Sequence, residues 1–230
     1  MAETLEIGNP PITVMLKKSE RARKFSLRIS NSDGSVSLTM PKRAIIRDAI
    51  AFANDHEGWL RKHLCKRPNK ILPVFGGSIL LDGAEVQIMF GQGSHVRFDA
   101  GVLYVSGTNA QVPAKLCAFY KTLARDRLVQ ASESYAKMVG RSFSRITIRD
   151  TRSRWGSCTS DGNLMYSWRL IMAPPSVQAY VAAHEVCHLV EMNHSDAFWR
   201  QVAAIYPYYK KQREWLRHQG SHLHRYQFKR

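Results

Sequence analysis

The chain has 230 residues, 44% of them hydrophobic and 23% charged, long enough for one large or two small domains with a packed core and too apolar for a disordered chain. Lys and Arg outnumber Asp and Glu by 34 to 18, and the net charge of +16 is the electrostatic footprint of a protein that meets polyanions. No run approaches the ~20 apolar residues of a membrane span, and the start MAETLEIGNPPI has neither the basic flank nor the apolar core of a signal peptide, so no membrane association and a cytoplasmic location are expected.

Residues 11 to 105 carry short alternating runs: ITVMLK, KFSLRIS, SVSLTMP, SILLDG, AEVQIMF, HVRFDA and VLYVSG. Period-two alternation punctuated by DG, GQG and AG turns predicts strands joined by hairpins. One helix, about Arg47 to Leu64, interrupts them. The pattern breaks near Thr108 to Pro113, where a long helix from about Ala114 to Val139 begins, and the domain boundary is placed there: a β-rich N-terminal region over 1–110 and a second domain over 111–230. In the second region RITIRD reads as a strand, TSDGN as a hairpin turn, and LMYSWRLIM as a second strand, the candidate edge for an extended substrate to pair with. Trp155 and Trp168 are assigned to core packing. No internal repeat is legible, and the basic tail HLHRYQFKR is expected to be mobile.

The charge is uneven. Residues 111–230 hold 19 basic and 8 acidic residues, or +11, against 15 and 10, or +5, in residues 1–110. Nucleic acid, acidic proteins and anionic surfaces would all be attracted, and solubility alone would also account for the charge, since no helix-turn-helix, zinc finger or other nucleic-acid motif is legible. Cys65, Cys117, Cys158 and Cys187 are scattered with no C-x-x-C pair, which argues for reduced thiols.

Residues 184 to 194, HEVCHLVEMNH, carry the chemistry. Positions i and i+4 of a helix share a face, so His184 and His188 can present imidazoles to one metal ion with Glu185 beside it, the H-E-x-x-H pattern of a zinc peptidase. Catalytic zinc usually takes three protein ligands and keeps a fourth position for water. His194 is the leading candidate for the third. Glu191 competes, but at ~1.5 Å rise per residue it lies about 10 Å along a straight helix from His184. A helix ending near Asn193 in a left-handed residue would return His194 under the metal. One Zn2+ per chain is expected. The bound metal would bring its water toward a neutral pKa, and Glu185 would act as general base.

RWGSC at 154–158, W-x-L, H-E-x-x-H and N-H-S in this order resemble the YgjP-like metallopeptidases, relatives of the SprT-type and WLM-type zinc proteases. SERARKFSLRISNSDGSVSLTMPKRA and FANDHEGWLRKHL are similar to that family's amino-terminal part, so the likeness covers most of the chain. The resemblance implies His184, His188 and His194 as metal ligands and Glu185 as catalytic acid/base, and the order of elements suits an α+β fold in which the β-rich N-terminal region precedes a zincin-like metallopeptidase domain. Metzincins share the histidine spacing, but Glu191 stands where they carry glycine. Tyr206, Tyr208, Tyr209 and His218 are candidates to stabilise the oxyanion, Tyr209 first because a tyrosine follows the proline in the resembling family.

The expected activity is zinc-dependent hydrolysis of unfolded or flexible protein. Two alternatives stand beside it. A nucleic-acid-associated protease acting on DNA-bound proteins would use the basic surface, and a non-catalytic zinc-binding scaffold would use the site without turnover.

Overall fold

A computed structural model describes residues 3–30, 34–65 and 70–228; the DG pair at 33–34 and the Cys65 side chain fall partly or wholly outside these. The chain divides into two compact units, Met1–Asn69 and Lys70–Arg230, each with its own apolar core.

In the first unit, strands β1 (Thr4–Ile7), β2 (Ile12–Ser19), β3 (Ser26–Ile29) and β4 (Val36–Pro41) form a sheet of order β1-β2-β4-β3, with β2 and β4 parallel. Alternate residues face inward: Val14 and Leu16 from β2, and Val36, Leu38 and Met40 from β4. The helix expected over 47–64 is two helices, α1 (Ile46–Asp55) and α2 (Glu57–Cys65). The break falls at His56, after two residues of weak helix propensity, where the ring Nδ1 bonds back to the Phe52 carbonyl at 2.8 Å.

The second unit opens on β5 (Ser78–Leu81), β6 (Ala84–Phe90), β7 (Arg97–Asp99) and β8 (Val102–Val105), in the order β5-β6-β8-β7 with β6 and β8 parallel. Both four-stranded sheets therefore consist of two antiparallel hairpins joined through a parallel pair of second strands, and helix follows each. This repeat is one of topology, and the sequence showed no sign of it because the two halves share only their alternation.

The boundary expected near residue 110 lies instead at 69/70. The reason is the Asp82–Gly83 turn, in which both residues adopt positive φ, 56° and 81°. Its two backbone N–H groups donate to the carbonyls of Ile171 and Met172 at 3.0 Å each. A Cβ on Gly83 would lie 2.7 Å from Pro174 Cγ, so only glycine permits this approach. Asp82 also pairs with Arg127 and accepts from Gln178 Nε2 at 3.1 Å. The second β-sheet thus belongs to the same core as the helices that follow it.

Helix α3 (Val112–Met138) buries Val112, Leu116, Tyr120, Ala124, Leu128, Ser132 and Ala136, a stripe at every fourth residue. A three-stranded sheet of order β10-β11-β9 comes next, from β9 (Arg145–Arg149), β10 (Gly156–Cys158) and β11 (Asn163–Ser167). Leu164 and Tyr166 point into the core, where the Tyr166 hydroxyl lies 2.9 Å from Ser132 Oγ of α3. The segment expected as one strand over LMYSWRLIM ends at Ser167 and continues as a buried 3-10 turn, Trp168–Met172. Moreover β11 is the central strand, paired on both sides, so it offers no edge. The edges of this sheet are β9 and β10, the latter within the RWGSC segment.

Helices α4 (Pro175–Cys187), α5 (Asp196–Ile205) and α6 (Tyr209–Gln219) complete the unit. The tail expected to be mobile is built in: Leu223, Tyr226 and Phe228 are buried, Ile71 pairs with Tyr226, and Arg169 donates to the Leu223 and Tyr226 carbonyls at 3.0 and 3.1 Å. Among the described residues no helix is long and apolar enough to cross a membrane, and no disulfide joins the cysteines.

Candidate metal centre

Helix α4 is apolar on nearly every side, with Val177, Tyr180, Val181, Ala182, Ala183, Val186 and Cys187 buried, as a helix enclosed by the core must be. It carries His184 and Glu185 in its last turn and ends at Cys187, with His188 as the C-cap residue. The helix stops earlier than the expected end near Asn193, and Asn193 is not left-handed. The reversal is made otherwise. The Leu189 and Val190 N–H groups close tight turns onto the Val186 and Cys187 carbonyls, and the His188 ring Nδ1 donates to the Glu191 carbonyl at 3.1 Å. The Ser195 side chain then accepts from the Phe198 N–H as the N-cap of α5, which aims His194 back at the helix it left.

His184, His188 and His194 come together with their ligating nitrogens all within 4.8 Å of one another. His184 Nε2 and His194 Nε2 stand 3.1 Å apart. Four ligands at tetrahedral angles and metal–nitrogen bonds of ~2.05 Å would be spaced by about 3.3 Å, so this pair already has the separation that one ion requires. A carbonyl can only accept, so the bond from His188 Nδ1 to Glu191 fixes the Nδ1–H tautomer and leaves Nε2 bare for a metal. Glu191 acts here through its backbone, and its carboxylate is not part of the cluster. Burial and the neighbouring histidines push His184 down to about 3, and burial lowers His188, so both are held in the neutral form that binds metal. The donor set, with His184 and His188 neutral, fits zinc.

The rings sit among aromatics: Phe198 stacks on His188 with centroids 4.5 Å apart, and Trp199 lies parallel to His194 at 5.7 Å. Glu185 is 6% exposed, and its carboxyl is raised to about 8 by burial, with the positive charge of Arg154 pulling the other way. Gly156 of β10 explains how so large a side chain fits beside the strand. A Cβ there would lie 2.5 Å from Glu185 Oε1 and 2.6 Å from its Cγ. A cleft of about 510 Å³ opens over the site, lined by the three histidines, Glu185, Met192, Ser153, Arg154, Gly156, Ser157 and Cys158.

A family model for the YgjP-like metallopeptidase domain matches residues 23–219, both units included. The chain belongs to the YgjP-like metallopeptidases. The crystal structure of the metallopeptidase zymogen of Pyrococcus abyssi abylysin is a distant likeness, 20% identical with a TM-score of 0.36, covering 40% of this chain and 95% of that one. No curated protein matches.

In this YgjP-like chain the four oxyanion candidates lie at the end of α5, at the start of α6 and within it. Tyr206 donates its hydroxyl to the Ser176 carbonyl at 2.8 Å, Tyr209 stacks on Trp199, Tyr208 is 78% exposed, and His218 pairs with Glu214 on the outer side of α6. None of them lines the cleft, whereas Arg154 and Ser157 do. From the sequence, Arg154 reads as a solvated side chain that could also orient a substrate carboxylate, and Ser157 as a turn and packing residue. The signal that could have found them is RWGSC itself, whose glycine marks a backbone approached closely by another group. Cys158 also faces the cleft, but burial and Glu185 push its thiol up to about 11, so it is no nucleophile. Cys187 is fully buried and raised to about 12.

Proposed function

We propose that the chain is a zinc-dependent peptidase of zincin-like architecture that hydrolyses unfolded or flexible polypeptide, with His184, His188 and His194 as ligands of one Zn2+ and Glu185 as general base. The observation that carries this reading is the convergence of three imidazoles beside a buried glutamate, in a cleft bordered by an edge strand. Bound zinc would supply a Lewis acid that activates water and polarises the scissile carbonyl. Glu185 takes the proton from the attacking water and delivers it to the leaving amine, a double role suited to a carboxyl whose proton affinity burial has raised. Arg154 lies in the same cleft and holds positive charge near Glu185, where it opposes build-up of negative charge. The outer edge of β10 offers unpaired backbone groups, so an extended substrate adds as a further strand, and only an unfolded segment can present the matching groups.

The test is metal analysis of the purified protein together with casein digestion. About one zinc per chain is expected, lost on chelation or acidification because the imidazoles must be deprotonated to bind. Glu185→Gln should keep its zinc while hydrolysis falls by at least ~10²-fold, the low end of what a positioned acid/base contributes. Near-wild-type hydrolysis by this variant refutes the role given to Glu185, and retained zinc in His194→Ala with loss in Glu191→Ala refutes the ligand set.

A further inference from the structure

Strand alternation sorts the β10-β11-β9 sheet into two faces. Ile146, Ile148, Leu164 and Tyr166 turn toward the core. The opposite face carries Arg145, Thr147 and Arg149 from β9, beside Asn163 and Met165 of β11 and Ser157 of β10, in register across the strands. A groove of about 380 Å³ lies over this face, and the loop between β9 and β10 adds Arg152 and Arg154 to it. Four arginines and several hydroxyls line the groove, and no acidic side chain does. Arg145 and Arg149 are exposed and enter no ion pair among the described residues. The nearest carboxylate in sequence, Asp150, is committed to Arg169 at 2.7 Å.

The groove is continuous with the metal cleft: Ser153, Arg154 and Ser157 line both. A chain leaving the cleft past Ser157 therefore runs onto a surface of concentrated positive charge. Strands are ~4.8 Å apart, so β9 lies about 10 Å from β10, a distance covered by roughly three extended residues.

We propose that this groove is a substrate subsite that selects an acidic segment of the polypeptide, a few residues to one side of the bond to be cleaved. The assignment rests on the peptidase reading above. Guanidinium groups pair with carboxylates through bidentate hydrogen bonds, and four of them around one groove favour a run of Asp or Glu over any neutral sequence. Charge complementarity and continuity with the cleft both favour a polypeptide, since the same chain must reach the metal and the arginines together.

Two labelled peptides with one common cleavable core test this, flanked in one case by glutamates and in the other by glutamines. At 0.01 M salt the glutamate peptide should show kcat/KM at least about fivefold higher, with the advantage shrinking as the Debye length falls from ~30 Å to ~10 Å at 0.1 M. The double variant Arg145→Gln, Arg149→Gln, whose two sites are exposed, should lose most of that advantage and still cleave the glutamine peptide at the wild-type rate. Equal rates on the two peptides, or an undiminished preference in the double variant, overturn the proposal. Fluorescence anisotropy of the same peptides on zinc-loaded Glu185→Gln protein, with and without the two arginine changes, makes the comparison without hydrolysis. If neither peptide is cleaved, the peptidase reading fails while binding still decides the groove. A single-stranded oligonucleotide that displaces the glutamate peptide and binds more tightly, with that affinity lost in the double variant, would assign the groove to nucleic acid and overturn the acidic-polypeptide subsite.

Discussion

Gly156 and Glu185 occupy what would otherwise be the same space, and the consequence is testable with a single methyl group. Because a Cβ at Gly156 would fall 2.5 to 2.7 Å from three Glu185 atoms, Gly156→Ala must move the carboxylate, the strand or both. For the general base proposed above, displacement by about 1 Å costs on the order of 10²-fold in rate, so kcat should fall by that order while zinc content stays at the wild-type value. Unchanged turnover in this variant would mean that Glu185 can be relocated without cost. His224 shows what burial does to a titrating ring away from the metal. It stacks on Trp155 at 5.0 Å, and burial with the nearby Arg169 and Arg152 charges lowers it from 6.5 to about 4, against the opposing pull of Asp150. Between those two values the unfolded chain binds a proton that the folded chain refuses, so stability rises with pH across the window and is lost as acid carries pH down through it. Urea midpoints measured from pH 7 to pH 4 should fall less steeply in His224→Gln than in the wild type; identical pH profiles would exclude His224 as a contributor.

At the scale of elements, the link between α4 and α5 decides where His194 points. Ser195→Ala removes the side-chain acceptor that caps α5 and should lower stability by about 1 kcal/mol, as loss of such a cap does elsewhere. It should also weaken zinc binding, because the cap fixes the residue that follows His194. Competition with a chelator reads this directly, and unaltered affinity would show that the ring is oriented by Trp199 and Phe198 alone. Arg169 does comparable work for the C-terminal tail. The side chain is 9% exposed, is held between the Trp168 and Phe228 rings, pairs with Asp150 and donates to two tail carbonyls. Breaking a fully buried pair costs about 3–5 kcal/mol; with Asp150 39% exposed in its side chain, Arg169→Met should cost roughly 2–3 kcal/mol. Thermal unfolding measures the change, and limited proteolysis should then cut within 222–228 first.

At the scale of the molecule, the apolar clusters of Met1–Asn69 and Lys70–Arg230 share no residue, and every residue of the candidate site lies in the second. Residues 70–230 produced alone should therefore unfold cooperatively and take up about one zinc, whereas a fragment starting at 111 should not, because it lacks the sheet whose Asp82–Gly83 turn seats on residues 171 and 172. A folded 111–230 fragment would restore the boundary that hydrophobic patterning suggested. Most strands and the long helix α3 were legible in the sequence, as was the pairing of His184 with His188, because alternation and the i, i+4 spacing are set by the local geometry of the backbone. What residues 4–7 and 156–158 do as strands was not visible, since runs of three or four residues carry too little pattern to be told from a loop. The tertiary structure alone decided that β10 and β9 rather than β11 are the edges of their sheet, that the tail is core, and that four arginines share a groove with the cleft. Each of these depends on contacts between residues far apart in the chain, and strand order, side-chain convergence and burial are fixed by those contacts, whereas the periodicity within one element says only which face it will bury.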